Sequence, residues 1–309
     1  MNWRVKGVVQ KALSVAPGGV RVNDWLQQAV GTNRDFAGQL AAKVEDWAIL
    51  VSHGDGLGMP LEGRRLMEVG SGWFPTLPIC YSLAGVASCA TYDLTRHLNP
   101  PLTFRMLTDL EAFLGKIAGA AHLEPAEVER RYRLLRQCGS VEQLLAAARI
   151  DYHAPADAAR SGLPAESVDI VFSNSVLEHV PPAVIQAIFQ ESSRVLKPGG
   201  LSIHSANCGD HYAYFDKSIT AINYLTYSGP DWRFWDNDLL YQNRLRPSDF
   251  IDMALAAGLD VPLRIHRPRP ELLSALPGLR IAPEFSHYPA DQLCSTSVDF
   301  AGRKQPIAG

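Results

Sequence analysis

The sequence predicts a doubly wound α/β fold, a mostly parallel sheet with helices on both faces. Three observations carry that expectation. The apolar run Arg65-Leu66-Met67-Glu68-Val69 ends in Gly70-Ser71-Gly72, and a helix pattern starts just past it. A second short apolar run, Val86 to Tyr92, ends at Asp93. Later, a strand-like segment Leu201–Ser205, a helix pattern Arg246–Ala257 and another strand-like segment Val261–His266 follow in order. Strands that alternate with helices are the signature of parallel βαβ units.

The glycine turn carries the chemistry. A strand that stops at Gly-x-Gly brings backbone close to a ligand, because no Cβ intervenes. The helix after it offers free N–H groups to the ligand's polar end. Pro75 and Pro78 fit the first turn of that helix, where proline is tolerated. The pattern indicates a nucleotide-type cofactor. Asp93 lies on the order of 20 residues past the turn, where an acid binds a ribose diol. A nicotinamide enzyme shares that acid, but its G-x-G-x-x-G fingerprint meets Pro75 at the third glycine. Glu68, two residues before Gly70, is not needed by a dinucleotide and is placed to accept from an ammonium group.

With these residues in view, the chain resembles the class I (Rossmann-like) S-adenosylmethionine-dependent methyltransferases, over roughly residues 64–205 and again near 245–303. Glu68-Val69-Gly70-Ser71-Gly72 is similar to the family's first motif, Asp93 to its ribose-binding acid, and Asp157 in Pro155-Ala156-Asp157-Ala158 to the acid near the adenine. Asp169 through Val180 resembles the fourth strand and its exit, and Leu196-Lys197-Pro198-Gly199-Gly200-Leu201 the turn into the fifth. Phe74 stands where the family often has a third glycine. The resemblance implies a seven-stranded sheet whose last strand, Ser295–Gly302, is an antiparallel edge-type partner. It implies S-adenosylmethionine as cofactor, with S-adenosylhomocysteine as product. The cofactor residues it implies are Glu68, Gly70, Ser71, Gly72, Trp73, Asp93, Leu94, Asp157, Ala158, Asn174 and Ser175. Some relatives bind a divalent ion through Glu-x-x-Glu-His. Here Ser175 replaces the first Glu and leaves only Glu178 and His179, so no metal is expected.

Composition sets bounds. The chain has 309 residues, 47% of them hydrophobic and 20% charged, which is ordinary for a globular protein with a sizeable core. A net charge of −3 gives no general attraction to nucleic acid or anionic lipid. No apolar run approaches the ~20 residues of a membrane span. The five cysteines form no C-x-x-C pair and are odd in number, which suggests reduced thiols and a cytoplasmic location.

Residues 1–61 read as a helical N-terminal extension and 62–309 as the methyltransferase domain. In the extension, Val5–Val15 and Val22–Val30 are amphipathic patterns split by Pro17-Gly18-Gly19, and Phe36–Val51 is a longer one. It either packs on the sheet or closes over a substrate or a second copy in a homodimer. Residues 97–150 form a helical insertion. Met106, Leu110, Phe113 and Ile117 fall there at helical spacing, and Ser140 with Gln143 makes a capping box. The cluster Arg130, Arg131, Arg133 and Arg136 reads as a solvated face paired with Glu127 and Glu129. Residues 207–245 form a second insertion, dense in aromatics, that either covers the sheet's open end or forms a lid over the acceptor.

Ligands in such sheets bind at the strands' carboxyl ends. His211, just past the fifth strand, is the candidate general base, with Asp210 to orient it. A surface-loop histidine is the alternative, and His204, inside the strand, reads as structural. Candidate acceptor-binding residues are His179, Tyr212, Tyr214, Tyr227, Trp232 and Arg244. The expected activity is methyl transfer to a small-molecule acceptor, with oxygen favoured over nitrogen or carbon. A non-catalytic binding module and a nicotinamide oxidoreductase are the other classes.

Overall fold

The computed structural model describes residues 2–15, 35–236 and 241–305. The predicted Val22–Val30 segment lies outside them. Strands β1 (Arg65–Val69), β2 (Ser88–Tyr92), β3 (Ile150–His153), β4 (Val168–Asn174), β5 (Leu196–Asn207), β6 (Leu259–Ile265) and β7 (Ser297–Lys304) form one sheet. Their order is β3-β2-β1-β4-β5-β7-β6, so the order reverses between β1 and β4. The first five strands pair in parallel.

The last strand departs from expectation. It lies between β5 and β6, antiparallel to both, and the sheet edges are β3 and β6. Its side chains explain the placement. Phe300 joins the apolar layer on one face and Ala301 the layer on the other, and burial on both faces suits an interior strand. The predicted turn 196–200 also differs. It belongs to β5 as a bulge, where pairing with β4 jumps from Val168↔Leu196 to Ile170↔Leu201.

The period of two in β1 and β4 sorts the core into two layers. Leu66, Ile170 and Phe172 point to the layer that holds helix α2 (Phe36–Gly56) and helix α3 (Thr76–Leu83). Met67, Val69 and Val171 point to the layer that holds helices Pro182–Val195 and Pro247–Ala256. Helix α2 starts at Asp35, whose side chain accepts from Gly38 N–H at 3.0 Å. Leu40, Val44 and Trp47 recur along its inner stripe at 0% exposure. That half of the extension therefore packs on the sheet. Helix α1 (Trp3–Val15) does not follow the predicted stripe, since Val5, Val8 and Val9 are exposed. It is held instead by Trp3, whose ring lies 4.6 Å from Trp235 and 5.3 Å from Tyr212 in the aromatic insertion.

The insertion between β2 and β3 is helical as predicted, with segments Pro100–Asp109, Leu114–Ala120, Pro125–Arg136 and Val141–Ala147. Met106, Leu110 and Ile117 are fully buried. Ser140 caps Gln143 N–H, but the Gln143 side chain bonds Gly139 N–H, so the capping box closes one residue early. Arg130 and Arg131 pair with Glu127, and Arg133 with Glu129. Arg136 donates to Thr108.

Gly70 has φ +89°, and a Cβ there would collide with Val176 at the exit of β4. Gly199 has φ +80° but open space around it. Gly70→Ala is expected to lower unfolding free energy by about 1–3 kcal/mol through strain and clash together. Gly199→Ala carries strain alone and should lose less. Urea unfolding compares the two, and equal losses would show that the Val176 contact does not constrain the turn.

Candidate functional site

A cavity of about 580 Å³ opens at the carboxyl ends of β1, β2 and β4, beside the reversal in strand order. Ten of the eleven predicted cofactor residues line it: Glu68, Gly70, Ser71, Gly72, Asp93, Leu94, Asp157, Ala158, Asn174 and Ser175. Trp73 is the exception. Its ring packs against His97 at 5.0 Å and against the core layer under α2.

One end of the cavity is built on a buried acid. Glu68 is 4% exposed and accepts a short hydrogen bond from the Thr91 hydroxyl. Thr91 has one proton to give, so the 2.6 Å contact between Ser71 Oγ and Thr91 Oγ1 has Ser71 as donor. Burial pushes the Glu68 carboxyl up to about 8; the Thr91 bond and Lys43 pull it back, and Asp93 adds to the rise. Lys43, from α2, lines the same cavity. This end can hold a zwitterion, with its ammonium at Glu68 and its carboxylate toward Lys43 and the N–H groups of the glycine turn.

The middle is set by Asp93. Its carboxylate accepts from Gly72 N–H at 3.2 Å and Thr95 N–H at 3.1 Å, which fixes its orientation at the tip of β2. Asp157 is similarly oriented by Ala159 N–H at 2.9 Å, and Ala158 is buried beside it. Leu94 is 71% exposed, an apolar face open to a flat ring. At the β4 exit, Asn174 donates to Asp46 of α2 at 2.9 Å. Ser175 sits at φ +53°, a strained backbone at the cavity wall. Phe74 fills its glycine-like position by packing on Phe36 at 5.2 Å.

The acceptor side departs further from expectation. His211 is 9% exposed, so it is not a surface histidine, and its Nε2 is buried without a hydrogen-bond partner among the described residues. Burial pushes the imidazole down to about 4, with His179 and Lys6 adding to the fall, so it carries a lone pair at neutral pH. Asp210 does not orient it. The Asp210 carboxylate instead accepts from Tyr212 N–H at 2.8 Å and Asn223 Nδ2 at 3.2 Å, capping the turn His211–Tyr214. His211 is held by Gln242, which accepts from its backbone N–H, and by Tyr214, whose ring stacks on it at 5.3 Å. Its ring also lies 5.0 Å from His179, and His179 lines the cavity.

Tyr212, Tyr227 and Trp232 are not part of that cavity. They surround Trp3 in a third apolar cluster, so the insertion closes on the N-terminal helix through aromatic packing. Arg244 is engaged by the carbonyls of Tyr224 and Tyr227 and by Glu284 at 3.5 Å. It and Trp232 line a separate recess of about 330 Å³. Arg246 is fully buried and donates to the Cys208 carbonyl and to Tyr224 Oη at 3.1 Å. His204 is structural as read, bonded at both ring nitrogens to Ser173 and Ser202 and pushed by burial down to about 3.

Sequence reasoning missed Lys43 and Thr91, and it singled out His211 without its convergence on Glu178 and His179. Glu178, His179 and His211 place ligand-type atoms within 4.8 Å of one another. Glu178 and His179 leave β4 together, and the fold adds His211 from beyond β5. No local pattern links those positions.

Residues 126–204 match the family profile of the methyltransferase domain, a span that includes β3, β4 and most of β5. No curated protein matches the chain in sequence. Among solved structures, a geranyl diphosphate methyltransferase in complex with S-adenosylmethionine is 12% identical, with 89% of this chain and 92% of that one covered and a TM-score of 0.47. An S-adenosylmethionine-dependent methyltransferase from Mesorhizobium loti is 14% identical, with 81% and 94% covered and a TM-score of 0.40. One from Methanosarcina mazei is 12% identical, with 79% and 94% covered and a TM-score of 0.43. The profile covers 79 of the chain's 309 residues, and the seven-stranded α/β sheet that surrounds the matched span is of the methyltransferase fold.

An ammonium seated at Glu68 drives off the proton that the acid holds at neutral pH. Binding of S-adenosylmethionine at pH 7 is therefore expected to release about one proton, seen as a buffer-dependent enthalpy in calorimetry. Glu68→Gln should abolish the release. The same group sets a pH trend in the ligand-free protein. Its folded value lies above the ordinary 4.5, so its stabilising contribution is present below about 4.5 and fades as pH rises through about 8.

Proposed function

We propose that this chain is an S-adenosylmethionine-dependent methyltransferase that acts on a small-molecule acceptor and methylates an oxygen, with N- or C-methylation the alternative. The observation that carries the reading is His211: a buried, neutral imidazole with a free lone pair, beside the cavity wall at His179. A hydroxyl acceptor must lose its proton as it attacks, and a lone pair held in place there serves that need. Glu68 and Lys43 would hold the methionine end of the cofactor, Asp93 the ribose, and Leu94, Asp157 and Ala158 the adenine. His179 and Tyr214 would border the acceptor.

Residues 62–309 are read as the catalytic domain and 1–61 as its cover on two sides: α2 closes the cofactor cavity with Lys43, and α1 pins the aromatic insertion. Such enclosure favours a small acceptor over a polymer. No helix among the described residues is long and apolar enough to cross a membrane. The five cysteines are all free, in keeping with a reducing cytoplasm.

Asp93→Ala should weaken S-adenosylmethionine binding at least tenfold by calorimetry; unchanged affinity would remove Asp93 from the ribose site. His211→Ala should lower turnover by roughly 10²-fold with cofactor affinity nearly intact. A full-rate His211→Ala enzyme would mean that alignment alone suffices, or that the proton leaves by another group.

A further inference from the structure

The geometry points to a divalent transition-metal site formed by Glu178, His179 and His211, placed to act on the acceptor oxygen. The three ligand-type atoms lie within 4.8 Å of one another. Ligands around an ion at about 2.0–2.2 Å stand roughly 3–3.5 Å apart, so small rotations of the two imidazoles close the ring. Two of the three donors end in a buried atom with no hydrogen-bond partner among the described residues. Glu178 is 1% exposed, and its Oε2 is buried without a hydrogen-bond partner among the described residues. His211 Nε2 is in the same condition. A buried acceptor with nothing to accept from is costly, and two converging ones are a feature that ordinary packing would not retain.

The third donor is prepared in the way metal ligands commonly are. His179 Nδ1 contacts the Tyr241 carbonyl at 2.8 Å. A carbonyl can only accept, so Nδ1 carries the proton and Nε2 is left with a lone pair. The elements that supply the donors are held firmly. Asn243 donates to the carbonyls of Leu177 and Val180 on either side of Glu178 and His179, and its N–H donates to the Glu178 carbonyl. Gln242, next in sequence to both Tyr241 and Asn243, holds the His211 backbone.

Two imidazoles and one carboxylate suit Zn²⁺, Mn²⁺ or Fe²⁺ better than Mg²⁺ or Ca²⁺, which prefer all-oxygen sets. Three protein ligands leave coordination positions open, and His179 faces the cavity. This inference rests on the proposed oxygen methylation and changes the part His211 plays in it: instead of taking the proton itself, its lone pair joins Glu178 and His179 in holding a cation against the acceptor hydroxyl. The cation's charge lowers the hydroxyl's hold on its proton, which leaves to water. The oxygen's electron pair attacks the sulfonium methyl carbon, and the carbon–sulfur bond breaks with its pair left on sulfur. No electron is gained or lost by the metal.

The test uses the full chain, stripped with a chelator and titrated with Co²⁺ followed by visible absorption, and with Zn²⁺ and Mn²⁺ by calorimetry. One equivalent should bind with micromolar affinity or better. His179→Ala, an exposed substitution that should not disturb folding, and Glu178→Gln should each weaken it tenfold or more. Asp93→Ala should leave it unchanged. Absence of binding, or binding indifferent to both substitutions, would overturn the inference. Methyl transfer to a hydroxyl acceptor separates it from the reading it rests on. Transfer that persists in the stripped protein but is lost in His211→Ala keeps the proposed function and overturns the metal site. A saturable, substitution-sensitive metal site in a protein that methylates no hydroxyl keeps the site and overturns the proposed function.

Discussion

A carboxyl buried at the end of the first strand is the constraint around which the cofactor half of this molecule is arranged. Glu68 is almost completely removed from water, with one short hydrogen bond from Thr91. Desolvation alone makes its charged form unfavourable, which is why it is pushed up to about 8. A fold stabilised only for itself would do better with an apolar residue there. The acid becomes useful when a cationic group arrives to pair with it, and the neighbouring parts follow from that need. Gly70 must lack a side chain because Val176 presses on it, and Thr91, itself held by Ser71, orients one of the acid's oxygens. Lys43 supplies opposite charge for the other end of a zwitterion.

The two halves of the site are built by different means. The cofactor half lies on strand tips whose positions follow from parallel pairing of β1 with β2 and β4. It is therefore rigid, and its groups stand close to their motif positions in the chain. The acceptor half is assembled from the turn after β4, the turn after β5 and the segment Tyr241–Asn243, tied by side-chain to backbone hydrogen bonds. Its stability depends on the aromatic cluster around Trp3, which locks the 207–245 insertion against the N-terminal helix. Substitution of Trp3 should thus be felt far from its place in the chain, at the acceptor side and not at Glu68.

How much of this could be read in the sequence follows from the same division. The glycine turn, Asp93, Asp157 and the β4 exit were legible because each is a short motif whose chemistry is local. The helical insertion was legible from the spacing of Met106, Leu110 and Ile117. The position of β7 was misread because antiparallel pairing on both sides is a tertiary fact, visible only in the two-sided burial of Phe300 and Ala301. Asp210 was misassigned because adjacency in the chain does not place a carboxylate on its neighbour's ring; a cap for the next turn was the nearer use. Arg244 and Trp232 went to packing and carbonyl bonds, since an aromatic-rich insertion must first bury itself. Lys43 and the convergence of His211 with Glu178 had no local signal, because each contact spans distant segments.

The central claim is that the cavity at Glu68 and Asp93 is a sulfonium-cofactor site. Isothermal titration of the purified chain with S-adenosylmethionine, S-adenosylhomocysteine and NAD tests it most directly. The account predicts micromolar binding of the first two and none of NAD. Binding of NAD, or of none of the three, would contradict it.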